Sequence, residues 1–181
     1  MYYHNILHDD MRNGDGLRVV LFVSGCQFNC PGCQNPQTWE LKSGIQFDEE
    51  AKKEIFEQLE KDYISGITFS GGDPLNIENA ETVRKLIEEI KDKYPDKSIW
   101  VYTGDTWEGI NSLMSTHYFA PCKESYYCID LTKIIHRIDV LVDGKFEIEN
   151  LDVNYPWAGS TNQRVINVPA SLRERKVVLW T

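Results

Sequence analysis

The chain has 181 residues, a formal net charge of −9 and five cysteines, which is length enough for one domain with a real core. The acidic balance excludes broad binding to nucleic acid or to an anionic membrane, because phosphate binding draws on clustered Lys and Arg, and no apolar stretch approaches the ~20 residues of a membrane span. The start, Met-Tyr-Tyr-His-Asn, lacks the charged region and apolar core of a secretory signal, so the expected compartment is the cytoplasm, where thiols stay reduced.

Apolar strand-like runs alternate with helical periodicity, the pattern of an α/β chain with a mostly parallel sheet covered by helices. Arg18 to Ser24 reads as the first buried strand. Asp48 is placed to cap a helix whose Ala51, Ile55, Phe56 and Leu59 form one apolar face. Gly66 to Ser70 is the second strand, and Ala80, Val83, Leu86, Ile87 and Ile90 mark a helix that ends near Pro95. A third strand follows at Ser98 to Tyr102, then a shorter helix carrying Trp107, Ile110 and Met114. Strands at Ile138 to Val142 and Val165 to Val168 come next, with Val177 to Trp180 as a closing strand. No repeat, low-complexity tract or linker divides residues 1–181, which read as a single domain.

The most informative segment is Cys26-Gln-Phe-Asn-Cys30-Pro-Gly-Cys33. A C-x3-C-x2-C spacing offers three thiolates to a cluster of four irons, whereas clusters kept for structure or electron storage usually take four cysteines. One iron is then left open for chemistry. A structural zinc site would normally show a second ligand pair, and Cys122 with Cys128 is poorly spaced for one. An odd cysteine count without a signal peptide also disfavours disulfides.

The cysteine loop follows the first predicted strand, Gly71-Gly72-Asp73-Pro74 the second, Thr103-Gly104-Asp105 the third and Asp143-Gly144-Lys145 the fourth. In a β/α barrel or an open parallel sheet, the carboxyl ends of the strands form the ligand-binding face. Each turn alone is weak, since turns favour Gly and Asp anyway. Together with the cysteines they converge on one site.

Through Cys26-x3-Cys30-x2-Cys33 and Ser70-Gly71-Gly72-Asp73-Pro74 the chain resembles the radical S-adenosylmethionine family. Within it, the chain is similar to the glycyl-radical activases that serve an anaerobic ribonucleoside-triphosphate reductase. That narrower resemblance rests on Asn13 to Arg18, Phe22 to Cys26, Cys30 to Asn35, Thr38-Trp39, Phe69 to Leu75, Tyr102 to Gly104, Trp107-Glu108, Val142 to Gly144 and Gly159 to Arg164. It implies a partial, open (β/α) barrel with the cluster at the carboxyl end of the first strand. Cys26, Cys30 and Cys33 would hold a [4Fe-4S] cluster whose open iron binds S-adenosylmethionine. Gly71, Gly72 and Asp73 would lie against the methionine end of that cofactor, with Thr103 in the same cofactor site. Asp143 and Lys145 resemble an Asp-x-Lys pair in related activases, although an Asp-Gly-Lys surface hairpin reads nearly as well. Gly32 stands where many members carry an aromatic residue, so backbone from Gly32 to Gln34, including that of Cys33, would meet the adenine instead.

The implied reaction is reductive cleavage of the sulfonium, then removal of hydrogen from a glycine of the reductase. The implied partners are that reductase and a low-potential electron donor such as flavodoxin, with no nucleic acid and no membrane. A radical enzyme acting on a small molecule, or an iron–sulfur electron carrier, are the other readings. His4, His8, His117 and His136 lack a nucleophile or metal-ligand arrangement and read as surface or core residues. Trp39, Trp107, Tyr155 and Trp157 suit either a docking face or core packing, and Gly159 to Arg164 is expected to touch cofactor or reductase.

Overall fold

The structure, a computed structural model, describes residues 1–115 and 123–181. His117 and Cys122 lie outside the described residues. The chain runs β1 (Tyr2–Asp10), β2 (Arg18–Val23), β3 (Ile45–Gln46), α1 (Glu49–Leu59), β4 (Gly66–Gly71), α2 (Ala80–Lys93), β5 (Ser98–Tyr102), α3 (Trp107–Ser115), α4 (Lys123–Ile135), β6 (Val140–Asp143), β7 (Arg164–Asn167) and α5 (Val168–Glu174).

The strands form one sheet in the order β3-β1-β2-β4-β5-β6-β7. The four central strands β2, β4, β5 and β6 are parallel, as their patterning leads one to expect. At both flanks the sheet turns antiparallel: β1 against β2 and β3, and β7 against β6. The cause is the connections, because a parallel return needs a crossover of a dozen or more residues, usually a helix. Residues 11–17 are too few, and residues 144–163 return without an α-helix. The sheet is therefore mixed rather than parallel throughout, and Val177 to Trp180 adds only an isolated bridge between Leu179 and Ile166.

Strand periodicity divides the sheet into two unlike faces. Val19, Leu21, Val23, Ile67, Phe69, Ile99, Val101, Leu141 and Ile166 pack with the apolar sides of all five helices. The opposite face carries Trp100, Val140, Val142 and Val165, covered by Trp157, Ala158 and Trp180 with no helix among them. The expected apolar stripe of α2 is buried as read, and Asp48 caps α1 by accepting from the amides of Glu50 and Ala51. The sequence reading did not anticipate β1, β3, α4 or α5. β1 is rich in His, Asn and Asp and mostly half-exposed, so alternation of apolar residues is weak there.

Arg18 sits fully buried on the helix-free face, and among the described residues no carboxylate is hydrogen-bonded to it. Its guanidinium donates to Thr68 Oγ1 (2.8 Å), Ser98 Oγ (2.9 Å) and the carbonyls of Asp15, Ile67 and Ser98 (2.9, 2.8 and 2.9 Å), and lies 5.3 Å from the Trp100 ring. Burial lowers its pKa to about 10, yet five acceptors and a π-face keep the cation in place. It stitches β2, β4 and β5 at their amino-terminal ends, and the Asn13 carbonyl joins by accepting from Thr68 Oγ1 at 2.7 Å. Arg18→Leu strips donors from several buried acceptors and is expected to lower stability to urea by on the order of 3 kcal/mol. Arg18→Lys, lacking the planar fork, should restore only part of that loss.

Candidate metal centre at the strand ends

The cysteine loop leaves the carboxyl end of β2 through Ser24 and Gly25. Two backbone bonds hold its root: the amide of Gly25 donates to the Thr38 carbonyl at 2.7 Å, and that of Cys26 to the Trp39 carbonyl at 2.9 Å. The carbonyl of Gly25 in turn accepts from the Asp73 amide at 2.7 Å, and the Gly72 amide donates to the Val23 carbonyl at 2.8 Å. These contacts explain the two glycines. Gly71 has φ +96°, and a Cβ on it would lie 2.8 Å from the Val23 oxygen; one on Gly72 would lie 2.7 Å from the Gly25 oxygen. The chain itself occupies that space, so both positions need glycine before any ligand is considered.

Asn79 completes the root, its side-chain amide donating to the carbonyls of Ser24 (2.8 Å) and Asp73 (3.0 Å). It stands at the start of α2 without capping that helix. A polar residue just before a strong helix was the available signal for it, though only the fold reveals its true target.

Cys26, Cys30 and Cys33 are half-buried, and none of the four described cysteines is in a disulfide. Burial pushes the Cys26 thiol up, with Asp73 adding to the rise, so metal binding there must displace a proton. The loop curls at Gly32, φ +75°, where the Cys33 amide donates to the Cys30 carbonyl at 3.1 Å. The Asn35 amide lies 3.3 Å from Cys33 Sγ as a donor. Among the described residues no three His, Cys, Asp or Glu side chains converge on a single ion position. A four-iron cube would take each of the three thiolates at a separate corner. The only described buried side-chain N or O atom lacking a partner is Nε1 of Trp39, on the residue whose carbonyl holds Cys26, and a buried donor needs an acceptor.

The neighbouring strand ends are tied in series. Asp73 is fully buried; its Oδ1 accepts from the Leu75 amide at 2.9 Å and its Oδ2 from Thr103 Oγ1 at 3.2 Å. Desolvation dominates these bonds, and with nearby Asp105 it raises the Asp73 carboxyl to about 7. The Gly144 amide donates to the Asp105 carbonyl at 2.9 Å, joining the ends of β5 and β6. Phe28 of the cysteine loop packs on Gly104, where a Cβ would come within 2.3 Å of the ring, and Lys145 lies 5.2 Å from the same ring.

Asp143, buried at the end of β6, accepts from the Trp107 amide at 2.7 Å and from both Nε and Nη2 of Arg164. Arg164 also forks onto Glu108 at 3.0 and 2.7 Å. Both Asp143 oxygens are thus engaged within the chain, while Lys145 remains exposed.

The segment Gly159 to Arg164 proves to be a clasp on the β6–β7 connection. Gln163 Oε1 accepts from the Gly159 amide at 2.9 Å and its Nε2 donates to the Gly144 carbonyl at 2.9 Å. Asn162 donates to the Lys145 carbonyl at 2.8 Å, and Ser160 Oγ accepts from the Glu147 amide at 3.2 Å. Gly159 abuts Gln34, since a Cβ there would meet the Gln34 amide nitrogen at 2.7 Å. The clasp therefore reaches from β6 to the residue after Cys33.

Trp107 is buried against the main core, and Trp157 packs edge-on to Trp100 at 5.3 Å, so both serve packing. His4 lies 2.9 Å from Ser43, His8 2.8 Å from Glu54, and His136 2.7 Å from the Thr132 carbonyl.

Comparison with known proteins gives a concordant result. Residues 12–166 match the 4Fe-4S single cluster domain family. The chain is 39% identical over 165 residues to an anaerobic ribonucleoside-triphosphate reductase-activating protein of Enterobacteria phage T4, covering 91% of this chain and 93% of the relative. Proteins of the same description from Vibrio cholerae and Escherichia coli K12 are each 37% identical, over 90% and 91% of this chain and 96% and 97% of theirs.

Two measurements test the geometry. Arg164→Ala leaves the buried Asp143 without its cation and is expected to cost roughly 3 kcal/mol in denaturant unfolding, with Arg164→Lys intermediate. For Asp73 the folded pKa lies above the unfolded value, so the folded state binds more protons between about pH 4 and 7 and this group's contribution to stability falls as pH rises through that window. The cluster-free Asp73→Asn protein should lose that component, seen as a flatter fall, or a steeper rise, of stability than wild type from pH 4 to 7. Identical slopes would refute the assignment.

Proposed function

Because the chain belongs to the family of anaerobic ribonucleoside-triphosphate reductase-activating proteins with a 4Fe-4S domain, we propose that it activates such a reductase by generating a glycyl radical on it. The observation that carries this reading is the three-cysteine loop rooted on the Gly71-Gly72-Asp73 turn through the Gly25–Asp73 bond. When bound, a reduced [4Fe-4S] cluster with S-adenosylmethionine supplies one-electron cleavage of the sulfonium and, through it, removal of a hydrogen atom from the partner's glycine.

The protein's own part is to position and to shield. Cys26, Cys30 and Cys33 would ligate three irons and leave the fourth to the cofactor. The turn at Gly71, Gly72 and Asp73 would sit against its methionine end, with Thr103 fixing Asp73. Backbone from Gly32 to Gln34 would meet the adenine, and Ile148, which lies where a Gly32 Cβ would be, would close that side against water. Exposed Lys145 would face the cofactor carboxylate, while Asp143, engaged by Arg164, would anchor the strand end beneath it. We read the sheet as a partial barrel of the radical S-adenosylmethionine kind, a reading supported by helices packed on one face only, and residues 1–181 as one domain. A low-potential donor such as flavodoxin would deliver the electron. No described helix is long and apolar enough to cross a membrane. The relatives' names favour this function over a small-molecule radical enzyme or an electron carrier.

Anaerobically reconstituted protein with dithionite and S-adenosylmethionine is expected to release 5′-deoxyadenosine, and with the reductase to give a glycyl signal in electron paramagnetic resonance. Serine at Cys26, Cys30 or Cys33 should abolish both. Cleavage without a glycyl signal at any reductase concentration would sink the activase reading.

A further inference from the structure

Leu75 lies fully buried two residues beyond Asp73, and both polar groups of its backbone are committed. Its amide donates to Asp73 Oδ1 at 2.9 Å, and its carbonyl accepts from the hydroxyl of Tyr127 at 2.7 Å. Tyr127 stands on α4, 52 residues further along the chain, with its ring packed against the main core. One turn later on α4, Asp130 pairs with Arg84 of α2, so the helix that carries Tyr127 is itself tied down. The other restraints on the turn come from the sheet edge and from the start of α2. The Gly72 and Asp73 amides bond to the carbonyls of Val23 and Gly25, and the Asn76 amide and Asn79 side chain donate to the Asp73 carbonyl, both at 3.0 Å. Those bonds hold the backbone of Asp73; its carboxyl is set by Thr103 and by the amide of Leu75.

We propose that Tyr127 is a positioning residue for the S-adenosylmethionine site, acting through Leu75 on the Gly71-Gly72-Asp73 turn, an inference that deepens the activase reading above and rests on it. By pinning the Leu75 carbonyl, Tyr127 fixes the residue whose amide holds the Asp73 carboxyl. Pro74 stands between them with its φ locked by the ring, so the segment has little freedom to absorb a shift at Leu75 before it reaches Asp73. Leu75 is 0% exposed, and its carbonyl cannot turn to water if the hydroxyl is lost. A buried carbonyl without a donor costs more than the bond contributes, which drives the backbone around it to rearrange. The rearrangement falls on the turn that meets the methionine end of the cofactor, where fractions of an ångström decide fit.

Tyr127→Phe removes the hydroxyl and keeps the ring. In anaerobically reconstituted protein without reductant, where no cleavage occurs, its dissociation constant for S-adenosylmethionine by equilibrium dialysis should rise about fivefold or more, the scale of one buried hydrogen bond. Iron content should match wild type. Amide exchange in the peptide spanning 71–76, followed by mass spectrometry on the same samples, should quicken by about the same factor. With dithionite present, KM for the cofactor should rise while kcat stays close to wild type, the split that marks a displaced binding surface. Tyr94→Phe is the control. It removes a bond of the same kind, from Tyr94 Oη to the Phe56 carbonyl at 3.3 Å, beyond the far end of α2, and should change neither affinity nor exchange at 71–76. Wild-type affinity or wild-type exchange at 71–76 in Tyr127→Phe would overturn the proposal, as would equal weakening by Tyr94→Phe or a fall in kcat alone. Loss of iron from Tyr127→Phe would overturn it too, by assigning the bond to holding the cysteine loop. If the wild type itself neither binds nor cleaves S-adenosylmethionine, the activase reading falls instead.

Discussion

The close passage of the Gly71-Gly72-Asp73 backbone beneath Val23 to Gly25 is the constraint on which the rest of this protein depends. Two amide–carbonyl bonds of 2.8 and 2.7 Å cross it, and any Cβ at either glycine would strike the opposing chain. The contact sets where β2 stops and in what direction the cysteine loop departs. Without it, three thiols on a loop of eight residues would have no fixed relation to the sheet, and an ordered site for a cluster would have to be made by the metal alone.

From that crossing, order propagates along the carboxyl edge of the sheet by short polar links. Asp73 reaches Thr103, the Asp105 carbonyl reaches Gly144, and Arg164 gathers Asp143 and Glu108 onto the last strand. The links join the ends of adjacent strands, and Glu108 ties α3 to the last of them, so the edge is one cross-braced rim. The cost is two buried carboxyls, one offset by the Arg164 guanidinium and the other, Asp73, hydrogen-bonded by the Leu75 amide and the Thr103 hydroxyl. At the opposite end Arg18 performs the same bracing with carbonyl acceptors in place of a counter-ion.

The two faces of the sheet are covered unequally. Helices covering one face leave the other to Trp157, Trp180 and an irregular segment, so a cleft survives alongside the cysteine loop. A doubly covered sheet would have filled that space with helix side chains.

Much of this was legible in the order of residues. The cysteine spacing, the buried runs of β2, β4, β5 and β6, the stripe of α2 and the Asp48 cap are local patterns, governed by periodicity and by chemistry within a few residues. What lay hidden involves partners far apart in the chain: Asn79 with Ser24, Gly159 with Gln34, Gln163 with Gly144, and the antiparallel flanks set by connections too short or too irregular for a crossover. The glycines at 71 and 72 show the division most clearly. The sequence by itself marked a glycine turn after the second strand, and its family resemblance set that turn against a cofactor, but tertiary structure decided that the group in closest approach is the protein's own backbone at Val23 and Gly25, since that choice depends on which strands pair.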